Sequence, residues 1–209
     1  MEASLKTLLP VAGVGGTGAL GGYYMLSDST TIRDKLKQDI KGLPRKILDR
    51  EGLAEWSEWK KVYDDNSLTP KIDGVTSSEA LPKWCKDTLD QKLDKSKYDL
   101  AKVWCIVNTS SLRGEASLKG TSLISETESD AVNKFKTAWE KVNQGKQNAG
   151  NLAIGDDKVT GTNVTDKETG GPALQTWCTT RYSWLMYKLE ARKDLDKVIK
   201  WCNEDAGKA

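Results

Sequence analysis

Residues 81–105 read LPKWCKDTLDQKLDKSKYDLAKVWC, and residues 174–202 read LQTWCTTRYSWLMYKLEARKDLDKVIKWC. Both stretches open with Leu-x-x-Trp-Cys, continue with Asp-Leu-x-Lys-Val and close on Trp-Cys. Every cysteine of the chain therefore follows a tryptophan. Three shared motifs in the same order predict an internal duplication held by cysteine pairs. The cysteines concerned are Cys85, Cys105, Cys178 and Cys202.

The duplication extends toward the N-terminus of each stretch. Trp59-Lys60-Lys61-Val62 and Trp139-Glu140-Lys141-Val142 share a Trp-x-Lys-Val motif, and apolar residues recur at helical spacing around both. We place the two copies at about 46–107 and 128–204. The pattern predicts an all-α helical bundle, residues 27–209, built from two similar halves behind one N-terminal transmembrane helix. The halves should pack on a shared core of tryptophans, namely Trp56, Trp59, Trp84, Trp104, Trp139, Trp177, Trp184 and Trp201.

The cysteine pattern favours two structural disulfides. Four cysteines allow three connectivities. In a helical hairpin, residues equidistant from the turn meet, so turns near 94–97 and 191–194 favour Cys85–Cys105 and Cys178–Cys202. A zinc site normally needs close cysteine pairs such as C-x2-C, which this sequence lacks. A catalytic thiol needs a general base, usually an imidazole, and this sequence contains no histidine. Four buried free thiols in a cytosolic protein stay open as an alternative.

The N-terminal residues 1–26 are expected to be a membrane anchor or signal anchor. Residues 8–26 are uncharged and mostly apolar, and as a helix they would span ~28 Å, about the thickness of the hydrocarbon layer. A GxxxG pair, Gly18 and Gly22, indicates a weak homodimer contact. A cleaved signal peptide ending near 19–21 is an alternative. A Rossmann fingerprint at 13–18 is disfavoured because no βαβ pattern follows.

The charged residues give little indication of orientation or ligand. The 32 Lys+Arg against 30 Asp+Glu leave no basic stripe, so we expect no nucleic-acid partner. Positive residues flank the apolar segment on both sides, and the positive-inside rule is equivocal. The disulfide pattern therefore carries the expected location, a single-pass protein of the cell membrane with an extracellular C-terminal domain.

Residues 108–129 and 143–172 are rich in Ser, Thr, Gly, Asn and Asp and are expected as long polar loops. Loops on a rigid scaffold suit recognition, so the favoured function is a membrane-anchored, surface-exposed interaction module that binds host surface molecules. We expect no enzyme, catalytic residue, cofactor or metal. The alternatives are a hydrolase using the carboxylate pairs Asp64-Asp65 or Asp156-Asp157, and a structural protein on the cytoplasmic face with reduced cysteines.

The ensemble of motifs resembles one protein family. The glycine-rich apolar N-terminus ending Gly21-Gly22-Tyr23-Tyr24, the segment 31–36 (TIRDKL), the Trp-Lys-Val helix and the Trp-Cys pairs are similar to the paralogous proteins of haemotropic mycoplasmas, wall-less bacteria that live on red blood cells. The resemblance implies a membrane-associated, surface-exposed protein and supplies no catalytic residues.

Overall fold

The computed structural model describes residues 30–66 and 68–208. The described chain is mostly helical, with one two-stranded antiparallel sheet in which Ile47 pairs with Ile106 and Arg45 with Asn108. Short 3-10 turns precede α3 and α7. The elements are α1 (Ile32–Asp39), β1 (Arg45–Ile47), α2 (Trp56–Asp64), α3 (Leu81–Leu89), α4 (Lys95–Trp104), β2 (Ile106–Asn108), α5 (Leu112–Leu118), α6 (Ala131–Gly145), α7 (Asp157–Thr160), α8 (Lys167–Tyr182) and α9 (Leu189–Trp201).

The prediction of an all-α bundle behind a transmembrane helix is wrong. The β1–β2 pair makes the fold mixed, and each strand is only three residues long, too short for the periodicity of its apolar residues to reveal it. Within residues 30–66 and 68–208, no helix combines the length and apolar character that crossing a membrane requires. The apolar segment 8–26, its Gly18–Gly22 pair and the match at 13–18 lie outside the described residues.

Two disulfides hold the helical hairpins together, as the spacing predicts. Cys85 is bonded to Cys105 and Cys178 to Cys202, with Cα–Cα distances of 5.5 and 5.9 Å. Each bond joins α3 to the residue that ends α4, or α8 to the residue that ends α9. All four cysteines are fully buried. Both predicted turns are displaced: residues 95–97 lie inside α4 and residues 191–194 inside α9, and the hairpins turn at 90–94 and 183–188 instead.

The tryptophans do not share one core. Buried residues from Ile32 to Val107 form one hydrophobic cluster, and buried residues from Leu112 to Ala206 form a second. Each half thus closes on its own apolar interior, because every half contains a complete set of helices and its own disulfide. The first cluster contains Trp56, Trp59 and Trp104 with Trp84 at its edge, and the second contains Trp139, Trp177 and Trp201 with Trp184 at its edge.

Matching backbone hydrogen bonds recur in the two halves. The amide of Ile32 donates to the carbonyl of Gln91 (3.0 Å), and that of Leu112 donates to Trp184 (2.7 Å); each acceptor stands six residues after the first cysteine of its half. Both helices, α1 and α5, also begin with a hydroxyl cap, Thr31 or Ser111. The repeated arrangement therefore includes α1 and α5, which lie before the starts at 46 and 128 expected from sequence.

A second pair of backbone hydrogen bonds also lies at equivalent positions relative to the two disulfides. The amide of Leu48 donates to the carbonyl of Cys105 (2.8 Å), and the amide of Ile124 donates to that of Cys202 (2.9 Å). In the first half this contact continues into the β1–β2 ladder. In the second half it is a single bridge between Leu123 and Asn203. The second half thus has a single bridge at the position where the first half has a three-residue ladder.

Candidate functional site on the face of helix α9

Helix α9 lies between the two polar segments that the sequence singled out. Its apolar side, with Ala191, Leu195 and Val198, is buried in the second core. Its other side carries charged residues at helical spacing, Asp196 and Lys200 among them, which face solvent. The helix therefore presents a polar face whose position is fixed by the core beneath it.

Residues 120–122 form one wall of a groove along this face. The groove has a volume of about 850 Å³ and is open to solvent. Leu152 and Ile199 contribute apolar surface, and Asp196, Lys200 and Asn203 contribute polar groups. Its mixture of apolar floor and polar rim suits contact with an extended polypeptide or glycan more than enclosure of a small substrate.

A second groove, of about 460 Å³, lies on the other side of the helix. Residues 155–158 form one wall, and Arg181, Asp194 and Lys197 lie opposite. Residues 120–122 of segment 108–129 and Leu152 of segment 143–172 thus meet at the first groove, and residues 155–158 of the latter segment line the second. Neither segment is a loop throughout: the first contains α5, and the second contains a 3-10 turn, α7 and the start of α8.

Hydrogen bonds tie both polar segments to the end of α9. The indole nitrogen of Trp201 donates to the carbonyl of Leu152, in segment 143–172, at 2.7 Å. The amide of Glu204 donates to the carbonyl of Ser122, in segment 108–129, at 2.9 Å. Because Trp201 directly precedes the disulfide-bonded Cys202, the same cysteine pair that closes the hairpin also positions the two walls.

A stacked arginine forms the base of the second groove. The guanidinium of Arg181 lies 4.0 Å from the ring centre of Trp177 and 4.8 Å from that of Trp184. Its Nε donates to Asp194 at 2.7 Å, and Lys197 donates to the other oxygen of the same carboxylate at 3.0 Å. Both oxygens of the Asp194 carboxylate are thus occupied by cations, and the pair between Arg181 and Asp194 holds α8 against α9.

The rim of the first groove carries acids held in their ionised form. A hydrogen bond from Lys208 lowers the pKa of Asp205 below its usual value. Lys134 donates to both Glu128 and Glu204, and these bonds raise the pKa of Lys134 well above that of a free lysine. Asp205 and Lys134 therefore keep their charges across the physiological pH range.

The carboxylate pairs proposed for a hydrolase have structural partners. Asp64 accepts from the hydroxyl of Ser78 at 2.8 Å, and Asp65 lies 2.9 Å from Lys193. Asp156 caps the N-terminus of α7, while Asp157 is exposed in the first turn of that helix. Within the described part of the chain, no three acids, histidines or cysteines are grouped to hold a metal ion.

The sequence predicts the two polar segments that line this face, but it does not predict that helix α9 lies between them. The Asp-Leu-x-Lys-Val and Trp-Cys motifs of residues 194–202 describe only the inner side of α9. The alternation of Asp196, Lys197 and Lys200 between the apolar positions was the available signal, and it is typical of any solvated helix face.

Comparison with known proteins identifies no relative: no protein-family model, no curated protein and no solved structure matches the chain.

Proposed function

We propose that this protein is a recognition module that acts on the outer side of a cell and binds its partner through the face of α9. The observation that carries the proposal is the convergence of two polar segments on one helix. Trp201 and Glu204 hold those segments in place. Polar walls on a rigid scaffold are a usual arrangement in binding proteins.

The two disulfides support the outer location. Structural disulfides persist in oxidising surroundings and are rare in the reducing cytoplasm. The resemblance to surface proteins of haemotropic mycoplasmas points to the same side of the membrane and to the red blood cell as the surface to test. Attachment through residues 8–26 stays a prediction, since those residues lie outside the described structure.

Binding rather than catalysis is the role that suits the geometry. Asp194, the most buried acid of the face, is held by Arg181 and Lys197. Both grooves are open, so water is not excluded from either. A general acid or base normally needs an enclosed setting that shifts its pKa toward neutrality.

The test is saturable binding of the full chain to red blood cells, measured by flow cytometry. One double variant, Ser122→Arg with Lys158→Glu, changes one exposed residue on each wall. The matched control, Ser77→Arg with Lys41→Glu, makes the same changes at exposed positions of the first half. We expect the wall variant to lose at least tenfold in affinity and the control to bind like the parent. Equal binding by both variants would exclude the α9 face as the binding surface.

A further inference from the structure

The arginines of this chain differ sharply in how their charge is compensated. Arg33, Arg113 and Arg181 form ion pairs with carboxylates. Arg45 and Arg192 form none with the carboxylates of residues 30–66 and 68–208, yet both side chains are half-buried. A guanidinium remains protonated in proteins, so both positions hold a partly desolvated positive charge.

Arg192 lies where the two halves of the molecule meet. It belongs to α9 of the second half, and its guanidinium is 5.7 Å from the ring centre of Trp59, in α2 of the first half. The aromatic face offers partial compensation but no hydrogen-bond acceptor. Burial lowers the pKa of Arg192, and repulsion from Arg45 lowers it further. No hydrogen bond joins the guanidinium of Arg192 to an acceptor within residues 30–66 and 68–208, so its N–H donors are available to an acceptor from outside the chain.

Arg45 reaches the same place from the sheet. It is the first residue of β1 and pairs with Asn108 of β2. Asn108 in turn donates from its amide to Glu115 of α5 at 2.7 Å, and α5 packs against α9. Strand β1, helix α5 and helix α9 thus form one packed group that carries both arginines. The repulsion of Arg45 on Arg192 agrees with this placement.

The acids near this junction are engaged with other partners. Glu115 accepts the hydrogen bond from Asn108, and Asp65 is paired with Lys193 at 2.9 Å. Both attract Arg192 from a distance without forming an ion pair with it. Two like charges held at one half-buried junction repel each other, and a counter-charge bound between them would relieve this repulsion.

We propose that Arg45 and Arg192 form a binding site for a tetrahedral oxyanion, a phosphate or sulfate group, between the two halves. Guanidinium groups recognise such anions with paired N–H donors, which a single lysine ammonium does not reproduce. Bound there, the anion would bridge β1 of the first half and α9 of the second. This site does not depend on the proposed role of the α9 face.

Isothermal titration calorimetry of the full chain tests this, with inorganic phosphate and inorganic sulfate as separate probes and chloride at equal ionic strength as the reference. We expect one saturable site per chain and a rise in Tm on binding. Arg45→Gln and Arg192→Gln should each weaken binding at least tenfold. Arg192→Lys should weaken it less than Arg192→Gln because it keeps the charge but loses the planar fork.

Arg50→Gln is the matched control, because Arg50 is exposed and also lacks an ion pair within the described part of the chain. Both anions stabilise proteins non-specifically, and that effect must be equal in all variants. A Tm rise of the same size in Arg45→Gln as in Arg50→Gln, or no saturable heat with either anion, overturns the proposal. Should Arg192→Gln fail to fold, the comparison of Arg45→Gln with Arg50→Gln still decides it. Preference for one probe distinguishes a phosphorylated from a sulfated ligand.

Discussion

Removal of the second disulfide should destabilise the protein by an amount that the loop length sets. In the variant Cys178→Ala/Cys202→Ala, the loop released in the unfolded chain corresponds to a sequence separation of 24 residues. The loop-entropy relation gives about 3.4 kcal/mol for a loop of this length. Alanine is the appropriate replacement, because both cysteines are fully buried and a serine hydroxyl would lack a partner.

The first disulfide provides an internal comparison. Its sequence separation is 20 residues, and the same relation gives about 3.3 kcal/mol for Cys85→Ala/Cys105→Ala. The two losses should therefore agree within experimental error. For a domain of this size each corresponds to a fall in Tm of about 10 °C. Guanidinium unfolding followed by far-UV circular dichroism measures the free energies, and calorimetry measures Tm.

Because the halves have separate cores, the loss should also be local. In the Cys178/Cys202 variant, amide hydrogen exchange should accelerate more in 112–206 than in 32–107, and the reverse should hold for the other variant. A loss below about 1 kcal/mol in either variant would refute the entropic account of the disulfides. Equal acceleration across both halves would refute the separation of the cores.

Two further predictions concern packing and pH. A Cβ at Gly170 would lie 2.0 Å from the buried indole of Trp139. Gly170→Ala should therefore lower the free energy of unfolding by at least ~2 kcal/mol in chemical denaturation, despite the better helix propensity of alanine. The control Gly155→Ala, whose Cβ would have nothing within 4 Å, should change it by less than ~1 kcal/mol, and equal effects would contradict the close approach of α6 and α8. The hydrogen bond from Lys46 lowers the pKa of Glu55 below its usual value. The stabilisation of the fold by this carboxylate is therefore present at neutral pH and is lost as the pH falls through the folded-state pKa of Glu55. Glu55→Gln should thus be less stable than the parent at neutral pH and equal to it in strong acid, and a difference independent of pH would exclude this origin.

The sequence predicted the features that depend on local or near-local spacing. The disulfide pairing is confirmed, although the turns lie at 90–94 and 183–188, nearer to Cys85 and Cys178 than hairpin symmetry predicts. The Thr-x-x-Asp spacing of Thr31 and Asp34 likewise indicates the capping box that begins α1. Both depend on residues that are close in the chain or related by one turn. The helical character of the Trp-Lys-Val segments followed for the same reason, since burial repeats once per helical turn.

Features that depend on distant contacts were not predictable in this way. A three-residue strand such as β2 gains its conformation from its partner β1, about 60 residues earlier in the chain. Apolar spacing shows which side of a helix is buried, but it does not show which other helix packs against that side. For this reason the sequence predicts one shared tryptophan core, whereas the structure has two. The junction of Arg45 and Arg192 joins residues far apart in sequence, and neither belongs to a motif.

The state of the cysteines on intact cells tests the central claim most directly. Because the disulfides are fully buried, cells that make the protein are first placed in urea at a concentration that unfolds the protein but leaves the cells intact. A membrane-impermeant maleimide is then added, with and without an impermeant reductant, and the labelled peptides are mapped by mass spectrometry. The account predicts labelling of Cys85, Cys105, Cys178 and Cys202 only after reduction and without lysis. If the four cysteines instead label without reductant, and only once the cells have been lysed and the protein unfolded, the domain lies in the cytoplasm with free thiols. Recognition at the cell surface would then be excluded.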